Sequence, residues 1–121
     1  MRDETQKKVL VIDDERDLCE LIKIVLTREN YSVDCATSLA EAGRKLEEHP
    51  AIILLDNNLP DGMGLEYLQM HPMEFKDSLV IVITSDVSPV IEKDARSGAA
   101  VLFLQKPFSI KMMKEMIKTA A

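Results

Sequence analysis

The 121-residue sequence has no tryptophan, only two cysteines and four glycines, and fewer cationic than anionic side chains, 15 Lys and Arg against 21 Asp and Glu. Each shortage removes a class of explanation. A formal net charge of -6 argues against direct, non-specific contact with nucleic acid, which requires clustered Lys and Arg to displace counterions from the phosphates. Any effect on DNA would then be exerted through something else. The two cysteines, Cys19 and Cys35, lack the spacing of a metal site and sit in apolar-patterned segments, so they read as reduced thiols packed as small hydrophobes in a cytoplasmic protein. No apolar run approaches the ~18 residues of a membrane span, the longest being Ala99 to Leu104. The N-terminal MRDETQKK carries charge but no apolar h-region, so no signal peptide is expected. Nor does a Gly-x-Gly-x-x-Gly follow the first apolar run, which weighs against flavin or dinucleotide binding.

What is present has the composition of one ordinary globular domain, 46% hydrophobic and 30% charged. Four unbroken apolar runs, Val9 to Ile12, Ala51 to Leu55, Leu79 to Ile83 and Val101 to Leu104, fit strands covered on both faces, the habit of parallel sheets. Tyr31 to Ala36 alternates instead, as an edge strand does. Helical patterns lie between. Leu18, Leu21, Ile22, Val25 and Leu26 mark one face of a first helix. Ser38 with Glu41 makes a capping box for a second, with Leu39, Ala42 and Leu46 facing inward. Gly64 to Met70 is a shorter third. Ser88-Pro89 opens a fourth, followed by Val90, Ile91 and Ala95. A fifth begins near Ser109 and carries Ile110, Met113, Met116 and Ile117. Strict β-α alternation predicts right-handed crossovers and an α/β sandwich: a flavodoxin-like five-stranded parallel sheet, order 2-1-3-4-5, with five helices on both faces.

Ligands in such sheets bind at the carboxyl ends of the strands. The residues there are Asp13 and Asp14 after the first run, Asp56 after the third, Thr84 after the fourth and Lys106 shortly after the fifth. Three crowded carboxylates repel one another unless cations compensate. Lys106 is one such cation, and a hard divalent ion bound by oxygens, Mg²⁺, suits the rest. The pattern points to metal-assisted phosphoryl chemistry in which a carboxylate can be the nucleophile.

VLVIDDE, LLDNNLPDGMG, VIVITS and LQKPF, in that order and over essentially the whole chain, resemble the receiver domain of bacterial two-component response regulators. The resemblance implies that residues 1–121 form a single receiver, either stand-alone or cut from a longer regulator. It implies a phosphorylation-activated switch, not an enzyme beyond its own phosphorylation and dephosphorylation. Asp56 would accept a phosphoryl group from a sensor histidine kinase or phosphotransfer protein. Asp14, Asp56 and the backbone carbonyl of Asn58 would hold Mg²⁺, with Asp13 acting through water. Lys106 and Thr84 would contact phosphoryl oxygens. Thr84 and Phe103 would be the switch pair that alters the face of the fourth helix, fifth strand and fifth helix, which an output domain or effector protein reads.

The sequence departs from the family pattern in two places. Ser85 stands where alanine or glycine is usual, and Gly98 lies eight residues before Lys106, one more than usual. Asn58 and Asp86 border the site, where the resemblance gives them a part in setting how fast the acyl phosphate hydrolyses. Lys111, Lys114 and Lys118, opposite Glu92 and Asp94, could support a homodimer across the same face, the default being solvated surface charge. His49 and His71 read as isolated loop histidines. The alternatives are a receiver-like interaction domain that works without phosphorylation, and an aspartyl-phosphate phosphatase. The latter needs an Asp-x-Asp motif and a cap insertion that this chain lacks.

Overall fold

A strand that is apolar on both faces must be covered on both, and four of the five predicted strands are of this kind. In the computed structural model, which describes residues 6–85 and 100–120, they form one parallel sheet. Its strands are β1 (Lys8–Ile12), β2 (Ser32–Ala36), β3 (Ile52–Asp56), β4 (Leu79–Thr84) and β5 (Ala100–Gln105), in the order β2-β1-β3-β4-β5. The alternating segment is one edge strand, as its half-polar pattern demands; the other edge is β5, whose apolar run predicts cover on both faces but whose Val101, Leu102 and Phe103 are only partly buried. Every residue of β3, at the centre, is buried.

The helices divide between the two faces. Alternate strand residues Leu10, Ile12, Ile53, Leu55, Val80 and Val82 pack against α2 (Leu39–Lys45), α3 (Gly64–Met70) and Phe75. Their neighbours Val9, Val11, Ile52, Leu54, Ile81 and Ile83 pack against α1 (Arg16–Arg28) and α4 (Ile110–Ala120). Each fully buried Leu, Ile or Val contributes about 2 kcal/mol of transfer free energy, so both faces are needed for stability. The fourth predicted helix, with Ser88, Pro89, Glu92, Asp94 and Gly98, lies outside the described residues, which contain four α-helices. Asp86 lies outside them too.

Two local expectations are corrected. Leu21, assigned to the inner face of α1, is 45% exposed, and the stripe that meets the sheet is Cys19, Ile22 and Leu26. Successive helical residues are about 100° apart, so a residue adjacent to the centre of this stripe falls on its flank. The capping box is also shifted: Ser38 Oγ accepts the Glu41 N–H at 3.1 Å, but Glu41 Oε1 accepts from Thr37 N–H at 2.8 Å, one residue further back than Ser38. A second cap comes from another loop. The Asp61 carboxylate accepts the N–H groups of Leu39 and Ala40 at 2.9 and 3.0 Å, tying the start of α2 to the segment after β3. Of the C-terminal lysines, Lys114 and Lys118 pair with Glu29 at the end of α1, at 2.7 and 3.7 Å.

Candidate functional site

The carboxyl ends of β1 and β3 are adjacent in the sheet, so the acids that follow them must meet. Ligand oxygens of Asp13, Asp14 and Asp56 all lie within 4.8 Å of one another. Asp13 and Asp56 are buried, 0% and 2% exposed, whereas Asp14 faces solvent. Backbone contacts hold their mounts. The Asp13 N–H donates to the Ala36 carbonyl at 2.9 Å, and Asp13 Oδ1 accepts from Glu15 N–H at 2.9 Å. Asp13 Oδ2 is buried and meets no hydrogen-bond donor among the described residues.

Burial pushes the Asp13 carboxyl up to about 6, with the neighbouring Asp56 adding to the rise, and the Glu15 N–H and Lys106 opposing it. Asp56 is also raised by burial, against the Asn58 N–H, which donates to Asp56 Oδ1 at 3.3 Å, and against Lys106. The Lys106 ammonium stands 3.3 Å from Asp56 Oδ1. Burial alone would depress it, but the attraction of Asp56 outweighs that and leaves it raised. The residues present fit a hard cation. Among the described residues a buried oxygen has no donor, three acids converge where one ammonium only partly compensates them, and exposed Asp14 leaves an approach open.

The segment after Asp56 is shaped by residues the sequence did not single out. Asn57 is 5% exposed; its N–H donates to the Ile83 carbonyl at 2.9 Å and its Oδ1 accepts from Leu65 N–H at 2.9 Å, closing the loop onto the start of α3. Two amides after an acid were visible, but not which one turns inward. A two-rung antiparallel hairpin, Asn58–Leu59 with Gly62–Met63, follows. Gly64 is required by a close approach, since a Cβ there would lie 2.5 Å from the Asp56 carbonyl oxygen and 2.9 Å from Leu55.

Thr84 ends β4, 3% exposed, and its carbonyl accepts from the Lys106 N–H at 2.8 Å, which places both residues at the same edge. The Lys106-Pro107 peptide is cis. Phe103, partly buried, pairs in register with Val82 and packs on the α2–α3 side of the sheet, the face to which Thr84 also belongs by alternation. Ser85 is exposed and shares a groove with Glu15, Leu18 and Lys106. His71 is not isolated: its Nδ1 is 3.1 Å from Glu74 Oε2 and its ring lies 4.3 Å from that of Tyr67. It stands apart from the acidic cluster and has no part in it. Among the described residues no helix is long and apolar enough to cross a membrane.

Comparison with known proteins agrees with this geometry. A family model described as the response regulator receiver domain matches residues 9–118. The chain is similar to the response regulator protein PilR of Pseudomonas aeruginosa, 32% identical over 96% of this chain and 26% of that protein. It is similar to the transcriptional regulatory protein KdpE of Staphylococcus aureus, 30% identical over 93% of this chain and 49% of that one. The chain thus spans between a quarter and a half of these relatives. Among solved structures it resembles the beryllofluoride-activated NtrC4 receiver domain dimer, with TM-score 0.82 and 37% identity over 95% of this chain and 96% of that chain. It shares its fold with the chemotaxis protein CheY4 of Vibrio cholerae, with TM-score 0.86 and 23% identity over 97% of this chain and all of that one.

Proposed function

Because the chain belongs to the response regulator receiver family, we propose that Asp56 accepts a phosphoryl group from a sensor histidine kinase or phosphotransfer protein, and that the acyl phosphate so formed switches an output. The observation that carries this reading is the setting of Asp56. It is buried at the end of the central strand, 3.3 Å from Lys106, with Asp13 and Asp14 oxygens within 4.8 Å.

Asp56 is the nucleophile. Its carboxylate oxygen attacks phosphorus as the donor's phosphorus–nitrogen bond breaks, and Lys106 moves its pairing from the carboxylate to a phosphoryl oxygen. Asp13, Asp14, Asp56 and the Asn58 carbonyl would hold Mg²⁺, which when bound neutralises charge that develops on the phosphoryl oxygens. Lys106 also opposes the upward push that burial gives the Asp56 carboxyl. Thr84 supplies a hydroxyl at the strand end, and Phe103, on the same face, follows its movement. The result is a shift between two conformations biased by the phosphoryl group's differential contacts.

The reader of that shift is an output domain or effector protein at the face of β5 and α4, where Leu102, Met112 and Met116 line an open apolar recess. Self-association across the same face is a second mode, in keeping with the dimer formed by the NtrC4 receiver. The whole is a cytoplasmic signalling device, one domain over residues 1–121, that turns over nothing beyond its own phosphoryl group.

Intact-mass spectrometry after incubation with Mg²⁺ and acetyl phosphate tests this, beside Asp56→Asn and an EDTA control. The expected result is a gain of one phosphoryl group that both controls lose. Absence of the gain, together with failure to bind beryllofluoride, would overturn the phosphoacceptor role and favour an interaction domain that works without phosphorylation.

A further inference from the structure

Two thiols that phosphoryl chemistry does not use lie directly beneath the acidic pocket. Cys19, in the first turns of α1, is 3% exposed, and its Sγ donates to the Asp13 carbonyl oxygen at 3.4 Å. Cys35, on edge strand β2, is partly exposed, and its Sγ lies 3.7 Å from the Cys19 carbonyl oxygen. Both thiols are free. They are unequal. The neighbouring Cys19 side chain holds the Cys35 thiol below its ordinary value against the effect of burial, with the Lys23 ammonium assisting. Cys35 is therefore the accessible partner, and Cys19 the buried one with which it is already in contact.

We infer that Cys19 and Cys35 form an oxidation site for a small hydroperoxide, which closes to an intramolecular disulfide tying α1 to β2 and withdraws the thiol donor from the Asp13 carbonyl. In the first step the Cys35 thiolate attacks a peroxide oxygen. The O–O bond breaks, the leaving oxygen departs as water or alcohol after taking a proton, and Cys35 becomes a sulfenic acid. In the second step Cys19 sulfur attacks the Cys35 sulfur. The S–S bond forms, the S–O bond breaks, and the hydroxyl leaves as water with the Cys19 proton. The thiol pair loses two electrons and the peroxide gains them. The Asp13 peptide is held from both sides by this neighbourhood, its carbonyl by Cys19 and its N–H by the carbonyl of Ala36, which follows Cys35. Oxidation thus reaches the pocket through the backbone. This coupling rests on the reading of Asp13 as part of a cation site, whereas the disulfide itself does not.

The test is intact-mass spectrometry and non-reducing peptide mapping of the full chain after hydrogen peroxide, followed by calorimetric Mg²⁺ titration of reduced and oxidised samples. Expected are a mass lower by two hydrogens, a linked Cys19–Cys35 peptide pair, and Mg²⁺ binding roughly fivefold weaker after oxidation, restored by a thiol reductant. Cys19→Ser should stop at a sulfenic acid that dimedone traps on Cys35. Cys35→Ser, at the partly exposed position, should block the mass loss even where the core variant folds poorly. Only oxygen addition to the wild type, or only cross-linked dimers, would overturn the disulfide. An intramolecular disulfide with unchanged Mg²⁺ affinity would overturn the coupling. A disulfide in a chain that never binds Mg²⁺ would overturn the coupling and the cation-site reading together, leaving the oxidation site in place.

Discussion

Replacing Asp13 by asparagine should make the metal-free protein more stable at neutral pH while abolishing its stabilisation by Mg²⁺. Asp13 is fully buried with its carboxyl raised from an ordinary 3.8 to about 6, so ionising it in the fold costs more than in the unfolded chain. At about 1.4 kcal/mol per pKa unit, that difference amounts to roughly 3 kcal/mol, an upper figure because the pocket relaxes. The sign follows from proton binding. Between pH 4 and 6 the folded state holds the proton more tightly than the unfolded one, so the favourable contribution is complete below about 4 and is lost as pH rises through about 6. Asparagine keeps an oxygen to accept the Glu15 N–H and puts an N–H where Oδ2 now has no donor, among acceptors. Urea unfolding in EDTA at pH 7.5 should therefore place Asp13→Asn about 1–3 kcal/mol above the wild type, and at pH 4 the gap should close. Adding Mg²⁺ should raise the wild type and leave the variant unmoved, since a ligand stabilises only the state that binds it. A variant less stable than wild type in EDTA at pH 7.5 would refute the claim that this carboxylate is strained by burial in the absence of a cation.

Three other substitutions isolate single features. Gly64→Ala would gain about 1 kcal/mol of helix propensity but must move the Asp56 carbonyl, 2.5 Å from the new carbon, so a net loss of about 2 kcal/mol or more is expected in urea unfolding. Ser38→Ala removes the oxygen that accepts Glu41 N–H and should cost about 1 kcal/mol without changing phosphoryl uptake; an equal loss of uptake would mean that α2 positions the site. Lys106→Met takes away the ammonium 3.3 Å from Asp56 and should slow acetyl phosphate labelling at least about tenfold, measured as initial rates by mass spectrometry, with a near-native circular dichroism spectrum.

The architecture was legible because periodicity reports burial directly. Three of the four runs without a polar residue lie in the interior of the parallel sheet and the half-polar fifth at one edge; the fourth apolar run, β5, took the other edge, which its composition did not show. The acids at strand ends were legible for the same reason: once strand order is known, Asp13, Asp14 and Asp56 must converge. Helix faces were read less well. Leu21 has the same hydrophobicity as Leu26, and only the position of the sheet beneath α1 leaves one exposed and buries the other.

By itself, then, the sequence determined the strand order and which side chains gather at its carboxyl edge, since both follow from local pattern and connectivity. Tertiary structure alone decided the rest. It turned Asn57 inward to hold α3 and brought Asp61 across to cap α2. It left one Asp13 oxygen buried with no donor among the described residues. It set Cys35 against Cys19, partners 16 residues apart whose spacing carries no signal. Contacts of this kind depend on a few ångströms and on the angle at which elements pack, and no one-dimensional pattern encodes those.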